Sequence, residues 1–202
     1  DLTIYNIVDY FQLVMKNNPN MIDSLFTPDT CVLHITRIGQ MVRDRRKMFL
    51  HKGCWHTFKG YAYQQITKMA GHERTGKRKE MIEQYGFDLK FAYHVVRLLD
   101  EVEQIMVEQD LDLERNREQL KSIRRGEWTL EQIERHFEAK ERALENTYAT
   151  SALRHYPDEA AIKEVLLRCL EMHYGSLASA VARAPSADRL IRDIEDVLAR
   201  HR

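Results

Sequence analysis

Apolar residues recur with the period of an α-helix over most of the chain. Between Ile4 and Met15 they stand three or four residues apart, which places them on one face of a helix. Proline disfavours helical geometry in the residue before it, so we expect Pro19 to close this helix. Residues 21–26 then predict a short second helix that ends before Pro28.

One short stretch has the composition of a β-strand instead. Residues 30–36 read Thr-Cys-Val-Leu-His-Ile-Thr, with β-branched residues on both sides of an apolar centre. Residues 111–125 form a mixed segment, with Leu113 among charged neighbours, that could hold a second short strand. We therefore predict a small β element near the N-terminus.

Helical patterns dominate after residue 37. Asp88 stands near the start of one helix, where a carboxylate suits the helix dipole, and Thr129 and Gln132 have the spacing of a capping box. A basic, polar stretch at 71–79 is typical of an exposed loop. The patterns predict a mostly α fold with a small β element (α+β), with helices at 39–50, 57–70, 88–109, 129–149, 158–182 and 187–201.

Composition and charge narrow the class of protein. The 202 residues carry equal numbers of basic and acidic side chains, but residues 37–97 hold 14 Lys and Arg against 5 Asp and Glu. A basic middle of this kind suits a surface that meets phosphates, and a solvated helix face is the plain alternative. Three scattered cysteines and no long apolar run indicate a cytoplasmic protein without a membrane span.

Three cationic side chains form a stripe on the helix predicted at 88–109. Lys90, His94 and Arg97 are spaced i, i+4 and i+7, which puts them on one face. Such a stripe needs anions opposite it, and a triphosphate or a nucleic-acid backbone would serve. Acidic residues of a neighbouring helix would serve equally well, so both interpretations stay open.

A second group of polar residues precedes this stripe. His51, Lys52, His56 and Lys59 lie close in sequence, but their spacing is not that of a zinc site. Tyr61 could face a base or a ribose, although a tyrosine on a half-buried helix more often packs in the core. Lys59 and Tyr61 join the stripe and Asp88 as candidate nucleotide-binding residues.

Several motifs resemble a known family. These are Asp1-Leu-Thr-Ile-Tyr with the later Asn18-Pro-Asn-Met-Ile, His56-Thr-Phe-Lys-Gly-Tyr-Ala62, Tyr85-Gly-Phe-Asp-Leu-Lys-Phe-Ala-Tyr-His-Val-Val-Arg-Leu98 and Ile123-Arg-Arg-Gly-Glu-Trp128. They resemble predicted nucleotidyltransferases of the DNA polymerase β superfamily, which include RNA-ligase-associated polymerases and many phage proteins. The resemblance covers about residues 1–180, and the block around Lys90 and His94 is its most specific part.

The resemblance implies transfer of a nucleoside monophosphate from an NTP to a hydroxyl acceptor, with RNA a candidate acceptor. Carboxylates in such enzymes hold two divalent ions, Mg²⁺ or Mn²⁺. Asp1 stands where the family pattern has an acidic residue, so the resemblance makes it a candidate for the third metal-binding carboxylate and a candidate catalytic residue. The family's Gly-Ser and Asp-x-Asp motif is missing from this sequence, so we expect it upstream of Asp1. Residues 1–36 would then end the nucleotidyltransferase core, 37–182 would bind nucleotide and acceptor, and 183–202 would add a C-terminal helix.

Three functions stay open at this point. The first is the nucleotidyltransferase, in which Lys90 and Arg97 neutralise phosphate, His94 donates to it, and Asp88 holds the helix start or a cation. The second is a non-catalytic nucleotide- or RNA-binding helical module. The third is a helical scaffold whose basic middle binds its own acidic flanks. Oligomeric state does not follow from any of these patterns.

Overall fold

The chain is mostly helical. A computed structural model describes residues 3–70 and 77–182, and within them it contains no β-strand. Short 3-10 turns lie at Asp29–Cys31 and Arg46–Phe49. The α-helices in the described residues are α1 (Ile7–Met15), α2 (Pro19–Phe26), α3 (Arg37–Asp44), α4 (Cys54–Ala70), α5 (Lys77–Tyr85), α6 (Leu89–Glu108), α7 (Arg117–Arg124), α8 (Leu130–Thr150), α9 (Glu159–Tyr174) and α10 (Leu177–Ala182).

Helix ends follow the capping residues in the sequence. The Asn18 side chain accepts hydrogen bonds from the backbone N–H groups of Asn20 and Met21, with Pro19 at the first helical position. The predicted capping box of α8 is confirmed, because Thr129 and Gln132 each accept from the other's backbone N–H. Gly175, at φ 83°, ends α9 and divides the helix predicted at 158–182.

The prediction of a β element at residues 30–36 is wrong. Residues 29–31 form a 3-10 turn, and the backbone that follows is extended without a neighbouring strand among the described residues. Leu33 is fully exposed, so an apolar, β-branched composition did not bring this segment into the core. The stretch at 111–125 is likewise no strand: it is a turn followed by α7. Residues 77–79 of the predicted loop belong to α5, and the helix predicted at 187–201 lies outside the described residues.

The core is built around α6, which packs against α4 and α8. Val95, Leu99 and Val102 are fully or almost fully buried in one large cluster that also contains Phe11 and Ile22 of the N-terminal helices. A smaller cluster lies under the N-terminal half of α6. It consists of Phe87, Leu89, Ala92, Val96, Leu120, Ile123 and Ile133.

The side-chain contacts fix the helix directions. Tyr63 of α4 donates to Glu141 of α8, while Lys59, one turn earlier, reaches Glu145, so α4 and α8 are antiparallel. Asp100 of α6 meets Lys140, and the Met106 carbonyl accepts from Ser151 beyond the end of α8, so α6 and α8 are parallel. The start of α4 therefore lies at the C-terminal end of α6, far from Lys90.

Candidate nucleotide-binding face

The start of α6 is fixed by a buried cap. Asp88 is 1% exposed, and its side-chain Oδ1 accepts a hydrogen bond from the backbone N–H of Lys90 at 3.0 Å. Gly86 precedes it at φ 81°, a conformation that glycine adopts at little cost. Asp88 is thus the N-cap of α6, which is one of the two roles expected for it. The cap fixes the start of α6 and therefore the direction in which the Lys90 side chain projects from the helix.

The predicted stripe lies on one face of α6 and descends from solvent into the core. Lys90 is exposed, His94 is half-buried beside the ring of Tyr93 at 5.1 Å, and the Arg97 side chain is only 14% exposed. We call Lys90 and His94, together with the buried cap Asp88, the α6 face. The three side chains therefore occupy different environments, and Lys90 is the exposed member of the stripe.

Arg97 forms ion pairs within the protein. Its Nη1 donates to Asp23 of α2 and, at 3.0 Å, to Glu101 one turn along α6. This is the alternative in which acids of a neighbouring helix balance the stripe. An arginine held this way can neutralise a phosphate only if the pair with Asp23 opens, so the phosphate-binding role of Arg97 stays a prediction.

Two carboxylates, the half-buried Asp23 and the buried Glu101, share this one guanidinium. Burial raises the pKa of Asp23, although Arg97 opposes the shift. Burial and repulsion from Asp23 raise the pKa of Glu101 to about 8, again against the attraction of Arg97. In the described part of the chain, Asp23 Oδ1 and Arg97 Nε are buried without a hydrogen-bond partner. The cluster is therefore held together at a cost in desolvation and is sensitive to loss of any member.

Lys59 and Tyr61 do not join the α6 face. The Lys59 ammonium lies 2.8 Å from carboxylate oxygens of both Glu141 and Glu145 on α8, and these hydrogen bonds raise its pKa. The Tyr61 hydroxyl accepts from the Asn18 side chain at 2.8 Å, and its ring packs against the core. Two residues apart on α4, they point to different neighbours, and both contacts hold helices together. Their proposed contact with nucleotide stays a prediction.

A metal site is not found among the described residues. They contain no group of three or more His, Cys, Asp or Glu side chains arranged to hold a metal ion. Asp1, the candidate ligand and catalytic residue, lies outside the described residues. The described side chains therefore supply no ligand set for the divalent ions that the family resemblance implies, and no catalytic step is assigned to them through a metal.

The structure also shows a polar cleft that sequence patterns did not predict. It has a volume of about 410 Å³ between the end of α2, α3 and the segment after α6. Arg46 lies there with its guanidinium 5.2 Å from the centre of the Phe26 ring. Acidic side chains outnumber the arginines of the cleft and make it a poor site for a bare phosphate; they are Asp29, Asp44, Glu108, Asp110, Asp112 and Glu114. The segments come together only in the fold, so no local motif marked them.

Comparison with known proteins now identifies the family. Residues 1–193 match the model of the RNA repair pathway DNA polymerase beta family. The curated proteins and the solved structures gave no match. No helix within residues 3–70 and 77–182 is long and apolar enough to cross a membrane. The family match spans nearly the whole chain and agrees with the resemblance carried by the motifs around Asp1 and Lys90: the chain belongs to the RNA repair pathway DNA polymerase beta family.

Proposed function

We propose that this protein transfers a nucleoside monophosphate from an NTP to a hydroxyl acceptor, with RNA as the acceptor. The observation that carries the proposal is the family match over residues 1–193, since this family is named for RNA repair and for DNA polymerase beta. The most specific motif of the resemblance, around Lys90 and His94, coincides with the exposed α6 face. The catalytic part is supported by the family alone, and the binding part also by this geometry.

In this proposal the α6 face receives the triphosphate. Lys90 brings an exposed point charge that is free to swing toward phosphate oxygens. His94 stands one turn further along the same face and would add an imidazole donor. Asp88 sets the position of both through the cap. Arg97, which is paired with Asp23, would act by fixing α2 against α6.

The divalent ions belong to the same proposal. Mg²⁺ or Mn²⁺ would activate the attacking hydroxyl and stabilise the leaving pyrophosphate. Asp1 is the ligand that the family resemblance offers, and Lys90 and His94 would act on the phosphate chain. In this proposal, the residues that the structure describes bind and orient the nucleotide.

One observation favours the scaffold interpretation for part of the basic middle. Arg97 and Lys59, two of its cations, are engaged by acids of α2, α6 and α8. Their charges are largely used within the fold, which leaves Lys90 as the residue that separates the two interpretations. A scaffold would not need Lys90 to bind nucleotide.

The affinity of the protein for NTP tests the binding part. Lys90→Ala should weaken NTP binding about tenfold, because it removes one charge-assisted contact worth roughly 1.4 kcal/mol. Lys163→Ala is the matched control: it removes one exposed lysine from α9 and should leave the affinity unchanged. Titration calorimetry with each of the four NTPs measures both. Equal affinities for Lys90→Ala, Lys163→Ala and the wild type would contradict the assignment.

A further inference from the structure

Lys52 is a buried lysine without an acidic partner. The side chain is 6% exposed, in a protein where buried charges are normally paired. In the described part of the chain, no carboxylate lies within ion-pair distance of its ammonium. The Lys52 ammonium lies over the ring of Tyr148, whose centre is 5.8 Å away. A lysine in this position has its charge available for an anion that comes from outside.

The turn that carries Lys52 is rigid. The His51 Nδ1 accepts from the backbone N–H of Gly53 at 3.1 Å, so its Nε2 carries the proton and donates to the Met15 carbonyl at 2.8 Å. A Cβ atom on Gly53 would lie 2.6 Å from the His51 ring, so glycine is required here. The backbone N–H of Lys52 donates to the Arg154 carbonyl at 2.8 Å. Its backbone is thus fixed from both sides.

The ring beside the Lys52 ammonium, Tyr148, contacts two imidazoles. The rings of His56 and Tyr148 lie 5.1 Å apart and those of His155 and Tyr148 lie 6.4 Å apart, both in edge-to-face arrangements. His56 and His155 are exposed and Tyr148 is half-buried. The acids nearby are already used, because Glu145 pairs with Lys59 and Asp158 with Arg154. We call Lys52, His56, Tyr148 and His155 the Lys52 cluster.

The Lys52 cluster is remote from the α6 face. Lys52 precedes α4, whose start lies beside the C-terminal end of α6, near Met106 and Ser151. Lys90 lies at the opposite end of α6, sixteen residues from Met106, which corresponds to about 24 Å at 1.5 Å per residue. A group bound at the Lys52 cluster would therefore not be the triphosphate of a nucleotide on the α6 face.

We propose that the Lys52 cluster is a second phosphate-binding site, which takes a phosphate of a nucleotide unit. The Lys52 ammonium would meet the phosphate, the exposed His56 and His155 would donate hydrogen bonds to it, and the adjoining base would contact the aromatic rings. Cations interleaved with aromatic rings are the combination that single-stranded nucleic acid favours. The same chemistry would fit a free nucleotide, and the competition experiment below distinguishes a free nucleotide from a nucleic-acid strand. This inference does not depend on nucleotidyl transfer.

Binding of a fluorescent 5′-phosphorylated 12-nucleotide RNA tests the proposal, with AMP and inorganic phosphate as competitors. Lys52→Met keeps the apolar stem and removes the charge. It should weaken RNA binding about tenfold and lower the slope of log affinity against log salt by about one. Lys90→Ala should retain this part of the salt slope. If AMP displaces the RNA when both supply phosphate groups at the same concentration, the ligand is a free nucleotide. If AMP does not displace it, the ligand is a nucleic-acid strand.

Two further measurements keep the test independent of folding and of the α6 face. Lys52→Met should keep the melting temperature, because it retains the apolar stem and removes a charge that no carboxylate pairs with, whereas loss of a structural lysine would lower it. The surface variant His56→Gln/His155→Gln should also weaken RNA binding. Lys90→Ala should weaken NTP binding and leave the Lys52-dependent part of RNA binding unchanged, so failure at the α6 face and failure here are distinguishable. Unchanged RNA affinity and salt slope in both variants would overturn the proposal.

Discussion

Arg97 shows how a residue's role depends on a partner far away in the sequence. Its spacing from Lys90 and His94 correctly indicates a shared helix face, and the same spacing cannot reveal Asp23, which is 74 residues away. Only the packing of α2 against α6 brings the carboxylate to the guanidinium. The sequence therefore predicted which face Arg97 occupies, and the fold decided that its charge is met inside the protein.

Truncating Arg97 should destabilise the fold. Arg97→Ala removes the guanidinium that donates to both Asp23 and Glu101, and removing one partner of such a pair typically costs about 3–5 kcal/mol. Lys90→Ala, on the exposed part of the same face, should change the free energy of unfolding by less than about 0.5 kcal/mol. Urea unfolding of both variants measures the difference. A fully stable Arg97→Ala protein would show that the ion pairs do not hold α2 in place.

Glu101 should make stability depend on pH in a predictable direction. Its pKa rises from 4.5 to about 8 on folding, so the folded state favours the protonated form. Its contribution to stability is complete below about pH 4.5 and is lost as the pH rises toward 8, by at most about 1.4 kcal/mol per pH unit. Glu101→Gln cannot ionise and should not show this loss. Because other groups titrate too, the informative quantity is wild type minus variant, measured by unfolding from pH 4.5 to 8. A difference that stays constant over this range would refute the assignment.

At the scale of elements, local signals succeeded where a local interaction fixes the structure. The Thr129–Gln132 box and Asp88 each mark a helix start that the structure confirms, since caps involve residues two or three positions apart. Pro19, expected to close the first helix, stands instead at the first position of α2. The strand at 30–36 failed for the opposite reason. A strand needs a partner elsewhere in the chain, and β-branched composition says nothing about whether one is present.

The Asp88 cap can be separated from its other predicted role by two substitutions. Asp88→Ala removes the side chain that accepts from the Lys90 N–H and should cost roughly 1–2 kcal/mol of stability. Asn is as good a cap as Asp, so Asp88→Asn should retain most of this stability while removing the charge. If Asp88→Asn also retains NTP affinity, its role is to hold the helix start. Lost NTP affinity in a stable Asp88→Asn protein would instead support a charge-dependent role for Asp88.

For the whole molecule, ion pairs between helices explain part of the uneven charge distribution. The basic middle meets the acidic flanks at several helix contacts, including Lys59 with α8 and Arg97 with α2. Lys90 and Lys52 stand apart from these pairs, one exposed and one buried, at opposite ends of α6. Net charge alone could not distinguish paired from available cations, because the distinction arises only when the helices pack.

Transfer of label from α-phosphate-labelled NTPs to RNA is the most direct test of the proposed function. The full natural protein would be assayed with Mg²⁺ or Mn²⁺ and each of the four NTPs. We predict divalent-ion-dependent labelling of RNA that is lost in Asp1→Ala, falls about tenfold in Lys90→Ala at limiting NTP, and is unchanged in the control Lys163→Ala. Absence of transfer with all four NTPs, while the protein still binds nucleotide, would contradict the enzyme assignment and leave a nucleotide-binding helical module.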